Sequence, residues 1–296
     1  ELGKELAEMY ECMPHYYKVA NNHGQGAETI MRAEALFCQG HFTDAHIELE
    51  RAYTQVRDNG QINMALCCDF LSRRLSLHTD VEQRYTFAER YAELLQYHDA
   101  SWINIWCATS AYYHALRGKA EEIPEIFSQH RLFTVNMLAP GKPMMEMIEN
   151  QVYLAQGAYA KVVGRSAELL AVCEAMHYAL VALHTRIQTA AAYEKLGKTE
   201  EARVWLRKAL ADAEPDGFVM PFVEIYDCLQ PILAREKKNG LIAKITDLGE
   251  AAMVRNAAIV LPAAFDVLTA REFEIVELMV QRLSNREIAE SLYLSE

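Results

Sequence analysis

A glycine register constrains the fold of this chain more than any other feature of its 296 residues. Gly40, Gly118, Gly157 and Gly197 stand 78, 39 and 40 positions apart, so the first interval is twice the others. Thr79-Asp80 lies midway through that interval, a turn in which glycine is lacking. On both sides of each turn, apolar residues recur at helical spacing. A period of about 39–40 predicts one helical hairpin per repeat. A lone hairpin cannot bury its apolar face, so neighbouring hairpins must stack.

The clearest copies surround Gly197 and Gly40. Ala190 and Tyr193 precede the first of these turns, and Ala202, Leu206 and Ala209 follow it. Ala33 precedes the second, and Phe42, Ala45, Leu49 and Ala52 follow. Small residues at fixed places let helices cross closely while larger apolar ones fill between them. The Thr79 and Gly157 copies are weaker, with Asn150 and Val162 where alanine is expected. This pattern resembles the tetratricopeptide repeat, stretched by about five residues beyond its usual period of roughly 34. The resemblance implies an all-α superhelical solenoid of hairpins over residues 27–213.

The same register places Leu2 to Met13 as the second helix of a preceding repeat, stopped by Pro14, with residues 1–26 its remnant and connection. Pro215, Gly217 and Pro221 punctuate the chain after the last copy, and residues 214–260 are expected to hold the terminal helices, one of them between Leu241 and Val260. Leu261-Pro262-Ala263-Ala264-Phe265-Asp266 opens a linker expected over 261–267. Leu138 to Pro143, with its A-P-G-K-P run, reads as an irregular loop.

Residues 268–296 form a separate pattern. Thr269 with Glu272, and Ser284 with Glu287, have capping-box spacing and start two helices. Phe273, Val276, Leu278, Met279, Val280 and Leu283 give the first a broad apolar face, which Ile288, Ala289 and Leu292 of the second can meet. Tyr293 and Leu294 break the pattern, and Ser295 is a third cap. A helix, a short turn and a new helix start describe a helix-turn-helix.

The run L-T-A-R-E, then L-S-N-R-E-I-A-E-S-L and L-S, resembles the C-terminal DNA-binding domain of LuxR-type transcription regulators. Arg282 departs from that pattern, since glycine is usual there. The stretch A-D-A-E-P-D-G-F-V-M-P-F-V-E, Ala211 to Glu224, is similar to the segment before that domain in the large ATP-dependent, maltose-regulator-like group, although Met220 stands where arginine is common. The resemblance implies that Asn285 to Leu292 is the support helix and that Asn285, Arg286, Ser295 and Glu296 belong to the DNA-binding module. It further implies a truncated reader with little DNA affinity of its own. ATP is expected only for the N-terminal nucleotide-binding domain of such regulators, and no cofactor is expected for these residues, which lack a G-x-x-x-x-G-K-[ST] loop.

Charge agrees with a localised reader. The net charge of −12 opposes nucleic-acid binding by the chain as a whole, so any DNA contact must be confined to one part. With 51% hydrophobic and 24% charged residues, the composition is that of a folded domain. No apolar run spans a membrane and the first residues do not form a signal peptide, which sets the expectation of a cytoplasmic protein without membrane partners. Cys12, Cys38, Cys67, Cys68, Cys107, Cys173 and Cys228 lie in helical patterns without a C-x-x-C pair, so buried reduced thiols are expected.

Catalytic signatures are missing: there is no G-x-S-x-G elbow and no H-E-x-x-H pair. His177 and His184 are seven positions apart, but a helix break near Met176–Tyr178 separates them. Glu121-Glu122 and Glu200-Glu201 read as openings of second helices, where carboxylates complement the helix dipole. The chain is accordingly expected not to be an enzyme.

A sensor needs a face, and solenoids use the concave one, lined by the first helix of each pair. Projecting the tetratricopeptide pattern brings Trp102, Trp106, Tyr112, Met147, Gln151, His184, Glu194 and Lys195 toward it. Aromatics beside a few polar groups suit a sugar, a small aromatic metabolite or a peptide. The leading functional reading is the sensor and oligomerisation region of a LuxR-type regulator, with a small-molecule inducer or protein partner on the repeats, DNA as partner of the complete reader, and a homo-oligomer as one assembly. The alternative is a tetratricopeptide-like interaction scaffold with no role at DNA.

Overall fold

The computed structural model describes residues 24–58, 60–97, 100–132, 135 and 141–265, together with 7–8, 11–13, 15–16, 288–289 and 292. All regular elements among the described residues are helical, so the expected all-α class holds. Two compact units are present, Glu1–Ala252 and Met253–Glu296.

The first unit contains α1 (Ala27–Cys38), α2 (Phe42–Asp58), α3 (Ile62–Ser76), α4 (Phe87–Leu94), α5 (Ala100–Leu116), α6 (Glu125–Ser128), α7 (Lys142–Ala155), α8 (Tyr159–Ala175), α9 (Ala179–Lys195), α10 (Thr199–Ala213), α11 (Met220–Val223) and α12 (Tyr226–Leu233). Helix α13 (Gly240–Phe265) carries the chain out of it. The register glycines follow α1, α5, α7 and α9, with φ of 78°, 65°, 73° and 73°. After α9, the Gly197 N–H donates to the Glu194 carbonyl and the Lys198 N–H to the Tyr193 carbonyl, each at 2.9 Å. This double closure needs a left-handed residue, which glycine adopts without the steric cost of a Cβ. Helix α3 manages without glycine: the Thr79 hydroxyl donates to the Leu75 carbonyl at 3.0 Å and accepts from the Val81 N–H at 3.4 Å.

The alanines of the register, Ala33, Ala45, Ala52, Ala190, Ala202 and Ala209, are buried, with Leu49 and Leu206 between them. The second helix of the Gly118 copy departs from expectation. Glu121-Glu122 lie in a 3₁₀ turn, Ala120–Glu122, and Ile123 is extended with ψ of 125° before Pro124. Proline biases its predecessor away from helical backbone, so only the four-residue α6 follows it. Glu200-Glu201, by contrast, do open α10.

The long connection from α3 to α4 is held by polar contacts in place of a tight turn. Arg73 donates to the Tyr85 carbonyl and its guanidinium lies 4.0 Å from the centre of the Phe87 ring. The Arg90 guanidinium sits 4.2 Å over Tyr85 and pairs with Asp69 at 2.5 Å, while Tyr53 donates to Asp69 at 2.7 Å. The Thr86–Glu89 capping box then starts α4.

The helices of this unit form a closed cycle. Helix α1 packs on α3, α3 on α5, α5 on α7, α7 on α9, α9 on α11, and α11 returns to α1. Helices α2, α8 and α10 lie outside this cycle against their hairpin partners. In an array of nearest-neighbour repeats the ends stay apart; here they meet through backbone. The Val219 N–H donates to the Cys38 carbonyl at 2.7 Å, Gln39 Nε2 to the Asp216 carbonyl at 3.0 Å, and Lys244 Nζ to the Gln39 carbonyl at 2.7 Å. Helix α13 joins this seam through Gly249, where a Cβ would fall 2.3 Å from Tyr226 Cγ, so no larger residue fits without displacing the ring.

Several expectations fall at the edges. Ala7–Glu8 and Glu11–Met13 are helical, and so are His15–Tyr16, beyond the stop expected at Pro14, which itself lies outside the described residues. Pro143 lies inside the first turn of α7 rather than in a loop. The linker expected from Leu261 is helical as far as Phe265. In the second unit, Ile288, Ala289 and Leu292 are buried and the Leu292 N–H donates to the Ile288 carbonyl at 3.0 Å. The rest of the expected reader, with Asn285, Arg286, Ser295 and Glu296, lies outside the described residues. No helix among the described residues is long and apolar enough to cross a membrane.

Asn150 stands where Ala33, Ala111 and Ala190 occupy the other copies, and it is 0% exposed. Neither its amide nitrogen nor its oxygen has a hydrogen-bond partner. Asn150→Ala should therefore raise stability by about 1 kcal/mol, since an unmet buried amide costs more than the small volume it fills. Urea unfolding checks this, with a higher midpoint at unchanged slope expected.

Candidate functional site

A cavity of about 790 Å³ opens among α1, α3, α5, α7 and α9. Its wall is largely apolar: Ile30 and Met31 from α1, Leu66 and Phe70 from α3, Trp102 and Ile105 from α5, Met144, Met145, Met147 and Ile148 from α7, and Leu180 and Val181 from α9. Glu34, Arg74, Tyr112 and His184 supply one polar cluster in that wall.

The cluster is built around a buried ion pair. Arg74 Nε donates to Glu224 Oε1 at 2.6 Å, and the Arg74 and Glu224 side chains are 3% and 0% exposed. Arg74 Nη1 donates to Glu34 Oε1, and the Cys38 thiol donates to the same oxygen at 3.5 Å. The Arg74 guanidinium lies between the rings of Phe37 and Phe70, 4.7 and 5.1 Å from their centres. Tyr112 donates its hydroxyl proton to Glu224 Oε2 at 3.0 Å, and its oxygen lies 3.5 Å from His184 Nδ1. With the tyrosine proton committed to the carboxylate, this contact fits a His184 tautomer bearing its proton on Nδ1.

Burial and charge set the protonation of the cluster. Burial pulls the Arg74 pKa down, but Glu224 and Glu34 together reverse this and leave the guanidinium firmly charged. Burial pushes the Glu224 carboxyl up, opposed by Arg74 and the Tyr112 hydrogen bond. His184 is lowered to about 3, first by burial and then by Arg74, so its imidazole is neutral. Tyr112 is raised by burial and by the Glu224 carboxylate.

Of the eight residues projected from the sequence, Trp102, Tyr112, Met147 and His184 meet at this cavity. The other four do not line it. Trp106 donates to the Phe87 carbonyl at 3.1 Å and meets Phe87 edge-on at 5.8 Å, so it packs α5 against α4. Gln151 accepts from Gln188 Nε2 at 3.3 Å between α7 and α9. Glu194 pairs with Arg235 at 3.2 Å, and Lys195 is exposed near the end of α9. Sequence reasoning missed Glu34, Arg74 and Glu224. The local signal at Arg74 was a second successive arginine inside an apolar helix, and at Glu224 a carboxylate closing the run F-V-M-P-F-V.

The cysteines also depart in part from expectation, since Cys12 and Cys67 are exposed. Cys67 faces the cavity, and desolvation by the surrounding protein pushes its thiol up to about 11. Cys68, one helical position on, is buried in the core instead. His177, with φ of 57°, follows the end of α8, so the expected helix break separates it from His184.

Comparison with known protein families, with curated proteins and with solved structures finds no match to this chain.

Two outcomes follow from the cluster. Glu224→Ala leaves Arg74 buried without its main partner and should cost about 3–5 kcal/mol, read as a lower denaturation midpoint. His184 has a folded pKa below its unfolded value of 6.5, so the unfolded chain takes up its proton first as pH falls. Its contribution is intact above pH 6.5 and is lost progressively as pH falls toward about 3. By pH 4 that loss is on the order of 3 kcal/mol. His184→Asn should flatten the stability profile over this window, as measured by urea midpoints from pH 7 to about 4; an unchanged profile would refute the assignment.

Proposed function

We propose that this chain is the sensor region of a LuxR-type transcription regulator, cytoplasmic, with its helical hairpins acting as tetratricopeptide-like repeats of a superhelical solenoid. The cavity receives a signal molecule, and residues 268–296 belong to the DNA-reading module. The observation that carries this reading is the pairing of a cavity with a seam: Arg74 lines the cavity and also forms the ion pair that joins α3 to the segment after α11. A ligand at the wall therefore touches the residue on which the closure depends. The L-T-A-R-E and L-S-N-R-E-I-A-E-S-L stretches supply the DNA-directed half of the proposal. The scaffold reading calls for an open concave groove along the first helices, which fits less well with inner helices that close on themselves.

In this reading the module binds promoters as part of a homo-oligomer, with the signal altering occupancy. The test is chromatin immunoprecipitation in the native cell, comparing the intact protein with one deleted for residues 268–296. Discrete promoter occupancy that disappears on deletion is expected. Occupancy unchanged by the deletion, or no discrete occupancy by the intact protein, overturns the reading and returns the chain to the scaffold class.

A further inference from the structure

The polar cluster of the cavity wall is unequal in its hydrogen bonding. Arg74 places Nε and Nη2 on the two Glu224 oxygens and Nη1 on Glu34. Tyr112 gives its proton to Glu224, and the Thr109 hydroxyl gives its own to the Ile105 carbonyl at 3.2 Å. Three of the five Arg74 N–H groups and both hydroxyl protons are thus engaged with protein. The acceptors are not all used: Glu34 takes Arg74 and Cys38 on Oε1, and its side chain remains 20% exposed. His184, with Nδ1 directed at Tyr112, keeps a lone pair on Nε2. Charge points the same way, for two carboxyl groups face one guanidinium. The remaining wall, with Met31, Phe70, Trp102, Met144, Met147 and Leu180, offers apolar and polarisable surface.

We propose that this cavity binds an elongated apolar molecule ending in a hydrogen-bond donor, best a cationic amine, with the donor on Glu34 and His184 and the apolar body among the methionines and Trp102. The volume of about 790 Å³ admits a single ten-carbon chain with its head and sets an upper limit of roughly 30 non-hydrogen atoms at protein packing density. A carboxylate head is repelled by Glu34 and meets an Arg74 whose charge two carboxyl groups already face. A sugar fits poorly, because most of its hydroxyls would be buried without partners.

The inference rests on the cavity being a signal site, and its test is independent of DNA. Decylamine, decan-1-ol and decanoate share one chain and differ in the head, and all are titrated calorimetrically below their micelle concentrations. Decylamine is expected to bind tightest, decan-1-ol next, and decanoate about tenfold or more weaker than the amine. Glu34→Gln should remove the advantage of the amine over the alcohol, and Ile148→Trp should weaken all three by narrowing the cavity. Decanoate binding as tightly as the amine, no binding of amine or alcohol, or amine binding untouched by Ile148→Trp overturns the proposal. Should Glu34→Gln fail to fold, the ranking of heads in the wild-type protein with the Ile148→Trp control decides it. Failure here would leave promoter occupancy unaffected, whereas failure of the regulator reading would leave this binding intact.

Discussion

The Arg74–Glu224 pair joins residues 150 positions apart, and the closure of the first unit depends on it. Burying two charges is costly, and such a pair is rarely worth more than well-packed apolar residues of the same volume. What it provides is a single geometry. Arg74 can satisfy both carboxyl groups only if α1, α3 and the segment after α11 are together, and Tyr112 can reach Glu224 only if α5 is in place as well. Misregistered packing would leave an arginine or a carboxylate buried and alone, which costs several kcal/mol. The pair thus adds a charged link to the seam that the Val219–Cys38 backbone hydrogen bond also closes.

Closure also explains why the inner helices look unusual as sequences. An outer helix such as α10 has one buried face and reads as amphipathic, with Ala202, Leu206 and Ala209 buried and Glu200 and Lys208 exposed. Helices α7 and α9 are enclosed by an outer partner, by inner neighbours and by the cavity side. They bury polar residues all round: Glu149, Asn150 and Gln151 in α7, and His184, Thr185, Gln188 and Thr189 in α9. Threonine manages this locally, since the Thr185 and Thr189 hydroxyls donate to carbonyls four residues back at 2.8 and 2.7 Å. Gln188 manages it across helices by donating to the Met147 carbonyl at 3.1 Å. Asn150 has no such partner.

The features legible in the sequence are those whose cause is local. The left-handed turns after α1, α5, α7 and α9 favour glycine, so the register at Gly40, Gly118, Gly157 and Gly197 could be read directly. Small residues at crossings follow from the same register. The broken helix at Ile123–Pro124 is local too, since a proline biases the residue before it away from helical backbone. The cycle of helices was hidden because it rests on long-range contacts, and neither Cys38 nor Val219 carries a mark of the other. Half of the projected residues fall on the cavity because a repeat pattern gives the facing side of each first helix. Trp106 and Gln151 lie one helical turn beyond Trp102 and Met147, on the same side but further along the axis, where they meet Phe87 and Gln188 instead of the cavity.

The closing pair and the cavity wall share Arg74, which limits how a ligand can act. A molecule held only by Met144, Leu180 and Trp102 would leave the seam unchanged and stabilise the unit as a whole. A cationic donor on Glu34 would reduce the negative charge facing Arg74, the residue that also pairs with Glu224. Coupling between cavity and seam thus requires differential contact with the polar cluster, since a ligand of equal affinity for two arrangements shifts neither.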